Sequence, residues 1–280
     1  LPLLFTIAAQ ARKVAIRLRI SRSPDLARDN SSTKTAAKYS DVNLKRGDVQ
    51  ALDSVTISMP RGQTTAVLGA SGSGKSTLVQ LAIGLLRPDS GTVEVLGASI
   101  DYGNLRPLRR RIGYAIQAIA LLPHLRVRDN IVLPAVINGW PEDQTKARLD
   151  ELIRMMDLRA HVLERYPHEL SGGQQQRAGI CRAMMLRPEL LLLDEPFSGL
   201  DALTRESIHD RFLALQATEA VSTVLVTHEP QEAINLASYL VVMRNGGVLQ
   251  QGSVADVLAN PANAYVSKLC TGLRRAGLNT

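Results

Sequence analysis

Two short stretches concentrate residue types able to do chemistry. The first, GASGSGKST from Gly69 to Thr77, has the spacing G-x-x-x-x-G-K-[ST] and lies between a β-rich run and a helical one. Glycines at these places let backbone N–H groups wrap a phosphate, and a helix that starts within the stretch adds positive potential. The pattern predicts a nucleotide phosphate site made by Gly69, Ser71, Gly72, Ser73, Gly74, Lys75, Ser76 and Thr77. Lys75 would reach the β- and γ-phosphates, and the Ser76 hydroxyl would ligate Mg²⁺. The flanking strand and helix favour this reading over an ordinary Gly-Ser turn.

The second stretch is ELLLLDEPFSGLD, Glu189 to Asp201. Its four leucines read as a strand buried on both faces, delivering Asp194 and Glu195 to the strand's C-terminal edge. Adjacent carboxylates repel and are costly to desolvate, so a cation or a proton-transfer task is the usual reason to hold them there. Asp194 is expected to hold Mg²⁺ directly or through water, and Glu195 to accept a proton from an attacking water. A pair that only caps a helix starting near Pro196 would explain one acid but hardly both.

The elements that position these groups follow from the texture of the chain. "YSDVNL" and "ALDSVTISM" read as β-strands before the turn "PRGQ", "TTAVLG" as a buried strand entering the glycine loop, and "STLVQLAIGLL" as the helix leaving it. After Pro141, the spacing of Leu149, Leu152, Ile153 and Met156 is that of an amphipathic helix. The leucine strand, "STVLVTH" and "YLVVMRNGGVLQQG" follow, the last with the Asn-Gly of a hairpin turn. Alternating strands and helices predict an α/β fold: a mainly parallel core sheet, an antiparallel β subdomain at the front and an inserted helical subdomain at about 118–187.

A third stretch, LSGGQQQR from Leu170 to Arg177, places Gly172 and Gly173 at the start of a helix, a second arrangement of exposed N–H groups. One domain has little use for two such cradles at a single nucleotide. Here the sequence resembles the ATP-binding subunits of ABC transporters, over about residues 37–270, with the other family elements in order. Gln117 in GYAIQ matches the Q-loop, Ser198 to Asp201 the D-loop, and His228 in LVTH the switch histidine. The resemblance implies a P-loop NTPase of ABC type that hydrolyses ATP with Mg²⁺ as a head-to-tail homodimer. It implies that Gln117 senses Mg²⁺ and the lytic water, that His228 contacts the γ-phosphate, and that Ser171, Gly172, Gly173 and Gln174 close on the ATP held by the opposite subunit. His124, His161, His168 and His209 read as structural.

The sequence departs from the family where an aromatic usually stacks on adenine. Counting back from the P-loop places Arg46 there, and a guanidinium plane can stack on a base. The alternative is that Arg46 points to solvent and Tyr39 covers the base.

Composition narrows the partners. The 280 residues carry a net charge of +7 with 4% aromatics, and the excess is local, in ARKVAIRLRISRS and LRPLRRR, which offers little for a nucleic-acid platform. Cys181 and Cys270, without CxxC spacing, suggest neither a disulfide framework nor a zinc site. No apolar run approaches the ~18 residues of a membrane-spanning helix, so a membrane role must come through partners. Residues 1–36 read as a separable extension, expected to be poorly ordered in part, and 271–280 as a tail. The given sequence ends soon after the last family element, so the paired regulatory domains of larger relatives are not expected in it.

The stretch between Lys75 and Leu170 is too short for the long coiled coils of chromosome-maintenance relatives, and a single P-loop and signature differ from the tandem halves of translation factors. Transporter therefore leads soluble ABC ATPase. The segments Leu108 to Ile131 and THEPQEAINLA, with Trp140, are most similar to bacterial uptake systems for quaternary amines such as glycine betaine or choline. NIVLPAVING also resembles lipoprotein-release and related exporters, the runner-up. The implied partners are permease subunits, docked on the helical insertion including AIALLPHL, and a substrate-binding protein, at the cytoplasmic face of the inner membrane.

Overall fold

The structure, a computed structural model, describes residues 35–116 and 121–277. The chain runs β1 (Thr35–Arg46), β2 (Val49–Pro60), β3 (Thr64–Leu68), α1 (Lys75–Ala82), β4 (Ser90–Val95), β5 (Ala98–Ser99), α2 (Arg106–Arg110) and β6 (Ile112–Ala115). Three helices follow, α3 (Val127–Ile137), α4 (Glu142–Met155) and α5 (Gly172–Met184). Then come β7 (Leu190–Asp194), α6 (Ala202–Glu219), β8 (Ser222–Thr227), α7 (Pro230–Leu236), β9 (Tyr239–Arg244), β10 (Gly247–Ser253), α8 (Val254–Ala259) and α9 (Ala264–Gly277).

The strands form an antiparallel sheet of order β2-β1-β4-β5 and a six-stranded sheet of order β10-β9-β3-β8-β7-β6. In the latter, β9 through β6 are parallel and only the edge strand β10 is antiparallel. Every residue of β3, β7 and β8 is buried, as strands covered on both faces require. The turn between β9 and β10 has Asn245 at φ 50° and Gly246 at φ 79°, the paired left-handed residues of a type I′ hairpin.

The helix leaving β3 ends earlier than the apolar run. Gly84, at φ 65°, donates its N–H to Leu81 O while Leu85 N–H reaches back to Gln80 O, a Schellman stop. Two expected boundaries also move. Thr35 already pairs with Pro60, and Ala36 and Ala37 are buried, because the long β2 offers ladder partners that far. At the other end the expected tail is helical as far as Gly277, since Leu273, Arg274, Arg275 and Ala276 are good helix formers.

Candidate nucleotide site

The glycine loop is held from three sides. A Cβ on Gly69 would lie 2.4 Å from Met243 O, and one on Gly74, at φ 98°, would lie 2.6 Å from Ala51 O. Neither position admits a side chain while the loop stays packed between the end of β9 and the start of β2. The β9–β10 turn fastens it: Gly246 N–H donates to Ser73 O (3.2 Å), and Asp53 N–H donates to Gly246 O (3.0 Å). Ser71 and Gly72 are exposed at the loop's crest.

Lys75, the first residue of α1, is only 4% exposed, and its Nζ donates to Gly69 O and Ala70 O at 2.8 and 2.9 Å. Burial lowers its pKa, against the pull of Glu195 and Asp194. The next residue, Ser76, donates its hydroxyl to Asp194 Oδ1 at 3.0 Å, although 118 positions separate the two. The parallel β3 and β7 flank β8, so the ends of both strands meet at one edge. Burial raises the Asp194 carboxyl; Ser76 and Lys75 oppose this and Glu195 adds to it.

Glu195 breaks from the strand with φ 47°, a left-handed conformation that costs a non-glycine residue about 1–2 kcal/mol. Its N–H donates to Val226 O, and its carbonyl accepts the Ser198 hydroxyl at 3.0 Å. Its carboxylate oxygen Oε2 stands 3.2 Å from His228 Nδ1, so the side chain expected to accept the proton and the one expected to meet the γ-phosphate face each other across the ends of β7 and β8. No helix starts at Pro196. The next, α6, begins at Ala202 and is capped by Asp201, whose Oδ1 accepts the Thr204 N–H at 2.9 Å.

The cradle fits a nucleotide phosphate and Mg²⁺. The fit rests on two glycines with no room for Cβ, a buried Ser73 hydroxyl without a hydrogen-bond partner, and a hydroxyl–carboxylate pair at the helix start. Among the described residues no cluster of three or more His, Cys, Asp or Glu could enclose a metal by itself. Few protein ligands beside phosphate oxygens is the usual habit of Mg²⁺.

Ser171 to Gln174 lie elsewhere. Ser171 N-caps α5 in a capping box, accepting Gln174 N–H at 3.3 Å while Gln174 Oε1 accepts Ser171 N–H at 3.1 Å. Ser171 and Gly172 are exposed, and nothing crowds Gly172. Gly173 has a reason that its motif does not reveal: its Cβ would sit 2.5 Å from Thr204 Cγ2, so α5 meets α6 too closely for a side chain.

Arg46 is exposed at the β1–β2 turn. Tyr39 cannot serve in its place, being buried with its hydroxyl bonded to Leu78 O at 2.8 Å. Gln117 lies outside the described residues. Buried His209 packs edge-on against Phe197, and burial pushes it down to about 4. His168 stacks on Tyr166. Cys181 and Cys270 are separate, buried thiols. Sequence reasoning passed over Arg205 and Glu232, which pack behind His228; Glu232, four positions after it on α7, was the available signal.

A family model described as ABC transporter matches residues 52–198. The chain belongs to the ABC transporter family. Among curated relatives, it is 41% identical over 80% of its length to the glycine betaine/carnitine/choline transport ATP-binding protein OpuCA of Bacillus subtilis. It is 39% identical to the Escherichia coli glycine betaine uptake system ATP-binding protein YehX, with 82% of this chain and 74% of that protein covered. With the sulfate/thiosulfate import ATP-binding protein CysA of Mycobacterium tuberculosis it shares 43% identity, covering 82% of this chain and 65% of that protein. The chain spans 59% and 58% of the lengths of the two Bacillus subtilis relatives OpuCA and OpuBA. Among solved family structures, the dimeric post-hydrolysis state of the cassette MJ0796 with ADP and Pi superposes with a TM-score of 0.71 at 29% identity, covering 78% of this chain and 98% of that one. The cbiO1 protein of Clostridium perfringens gives 0.75, also at 29%, covering 86% and 97%.

Proposed function

We propose that this chain is the ATP-hydrolysing subunit of a quaternary-amine importer, working as a head-to-tail homodimer on permease subunits at the cytoplasmic face of the inner membrane. The observation that carries the hydrolytic part is the 3.0 Å contact of Ser76 with Asp194, beside buried Lys75 and the Glu195–His228 pair. Lys75 gives up its carbonyl partners to bind the β- and γ-phosphates. Ser76 and Asp194 hold Mg²⁺, which when bound neutralises charge on the phosphate oxygens. Glu195 takes the proton of the attacking water, and His228 orients that carboxylate and meets the γ-phosphate. Ser171 and Gly172, exposed at the start of α5, close with Gly173 and Gln174 on the partner's nucleotide.

The uptake reading draws on relatives named for glycine betaine, choline and carnitine transport. The similarly identical CysA makes sulfate import the reading to test against it. Among the described residues no helix is long and apolar enough to cross a membrane, which suits attachment through partners. A cleft of about 460 Å³ between α2, β6, α3 and α5 suits a permease segment, for Arg106, Arg109, Arg110 and Arg182 line it and Ile137 at its rim is 67% exposed. In the segment AIALLPHL, among the described residues, Leu121 is buried in the helical core while Pro123 and His124 are exposed and open to a partner. The deciding experiment is co-purification with the native membrane partner, then stimulation of ATPase activity by glycine betaine, choline, carnitine or sulfate. Stimulation by sulfate alone would replace the quaternary-amine assignment, and absence of ATP hydrolysis would remove the whole reading.

A further inference from the structure

The backbone on either side of His228 is tied by side chains with no place in the scheme above. Thr227 donates its hydroxyl to Glu232 Oε2 at 2.6 Å and accepts Glu229 N–H at 2.9 Å, so one hydroxyl brackets His228. Glu232 is 3% exposed, and its second oxygen, Oε1, has no hydrogen bond. That oxygen stands 3.7 Å from Arg205 Nε, itself buried without a hydrogen bond. Arg205 uses another nitrogen to donate to Leu200 O at 3.0 Å, within the SGLD segment. Ser198 of that segment donates to the Glu195 carbonyl, and Glu195 faces His228. The contacts therefore close a ring that passes through Glu195 and His228.

A carboxylate buried as Glu232 is beside a half-buried guanidinium adds stability only when its hydrogen bonds are completed. This pair leaves a donor and an acceptor facing each other just beyond bonding distance, where a small displacement of SGLD or of α7 would make or lose the bond. We propose that Arg205 and Glu232 are positioning residues, linking SGLD to the His228 turn and setting His228 against Glu195. The inference rests on the hydrolytic reading.

Glu232→Gln keeps the shape and an acceptor for Thr227 while removing the charge that faces Arg205. Arg205→Lys keeps a charge but replaces the planar fork, two of whose nitrogens face Leu200 O and Glu232, by a single ammonium. With the purified chain, single-turnover ATP hydrolysis, ATP affinity, thermal midpoint and the NMR signals of the His228 ring are compared. Glu232→Gln is expected to slow hydrolysis about tenfold, the scale of a single charged interaction missing from the transition state, with ATP affinity unchanged and the His228 signals shifted. In a Glu195→Gln background it should slow hydrolysis no further. A lowered midpoint with hydrolysis per folded molecule and His228 signals unchanged would make the pair structural and overturn the proposal. If Glu232→Gln does not fold, Arg205→Lys is judged by the same readings. Loss of hydrolysis in Glu195→Gln beside an unaffected Glu232→Gln sinks only the link. A parent chain that binds ATP without hydrolysing it at any protein concentration sinks the hydrolytic reading with it.

Discussion

Gly69–Thr77 and Leu170–Gln174 are both glycine-bearing turns that open a helix, yet their surroundings differ. The first is walled by β2 and β9, its lysine is buried, and its serine meets an acid from another strand. The second presents Ser171 and Gly172 to solvent, with a capping box as its own closure. An enclosed site with a separate, outward half-site is the arrangement expected when two copies complete each other. The glycines differ accordingly: Gly69 and Gly74 clear space for the chain's own backbone and Gly173 for a neighbouring helix, whereas a Cβ on Gly172 would meet, among the described residues, only Leu200 at an ordinary 3.6 Å.

The contrast can be tested by damage at each place. Glu195→Gln, on the enclosed side, should reduce hydrolysis by on the order of 10²-fold or more, the scale of missing general-base catalysis. ATP binding should survive, and near-normal turnover would remove Glu195 from the proton-accepting role. Lys75→Ala should weaken equilibrium ATP binding about ten- to a hundredfold, since it removes a charge-assisted interaction of roughly 1.5–3 kcal/mol. An unchanged dissociation constant would mean that the loop does not hold the phosphates.

On the outward side, Ser171→Arg should leave ATP binding by the single chain intact and slow hydrolysis by about tenfold, equivalent to roughly 1.4 kcal/mol less favourable closure. Hydrolysis in this variant that is unimpaired and independent of protein concentration would break the comparison. Gly173→Ala separates packing from phosphate contact. The added methyl should destabilise by about 1 kcal/mol net of helix propensity, and Thr204→Ser in the same chain, by removing the crowding Cγ2, should recover most of the thermal midpoint. Failure of that rescue would mean that the glycine's role is not in α5–α6 packing. The smallest effect belongs to Arg46→Ala, where removing a stacking interaction of about 0.5–2 kcal/mol should weaken ATP and GTP alike. Equal affinities in variant and parent would assign Arg46 to solvent.

The enclosed site was largely legible from sequence because its chemistry is local. Lys75 and Ser76 are neighbours, Asp194 and Glu195 are neighbours, and a run of four leucines can only be a buried strand or helix. The hairpin was legible from Asn245-Gly246, since few other dipeptides accept two positive φ angles. What escaped were non-local contacts that carry no motif at either end. The crowding of Gly173 by Thr204 depends on a helix crossing, and the burial of Tyr39 on α1 lying over β1. Neither composition nor period encodes these.

The family match ends at Ser198, but the groups that shape the phosphate loop do not. Met243 O and the Gly246 turn, more than 160 positions after Ser73, press on the loop and tether it to β2. A fragment cut at Ser198 would therefore carry every letter of the phosphate motif without the mould that gives it form. A substitution at Gly246 would register in a binding assay as damage to a nucleotide contact, although that residue's only bonds to the loop and to β2 are through its own backbone.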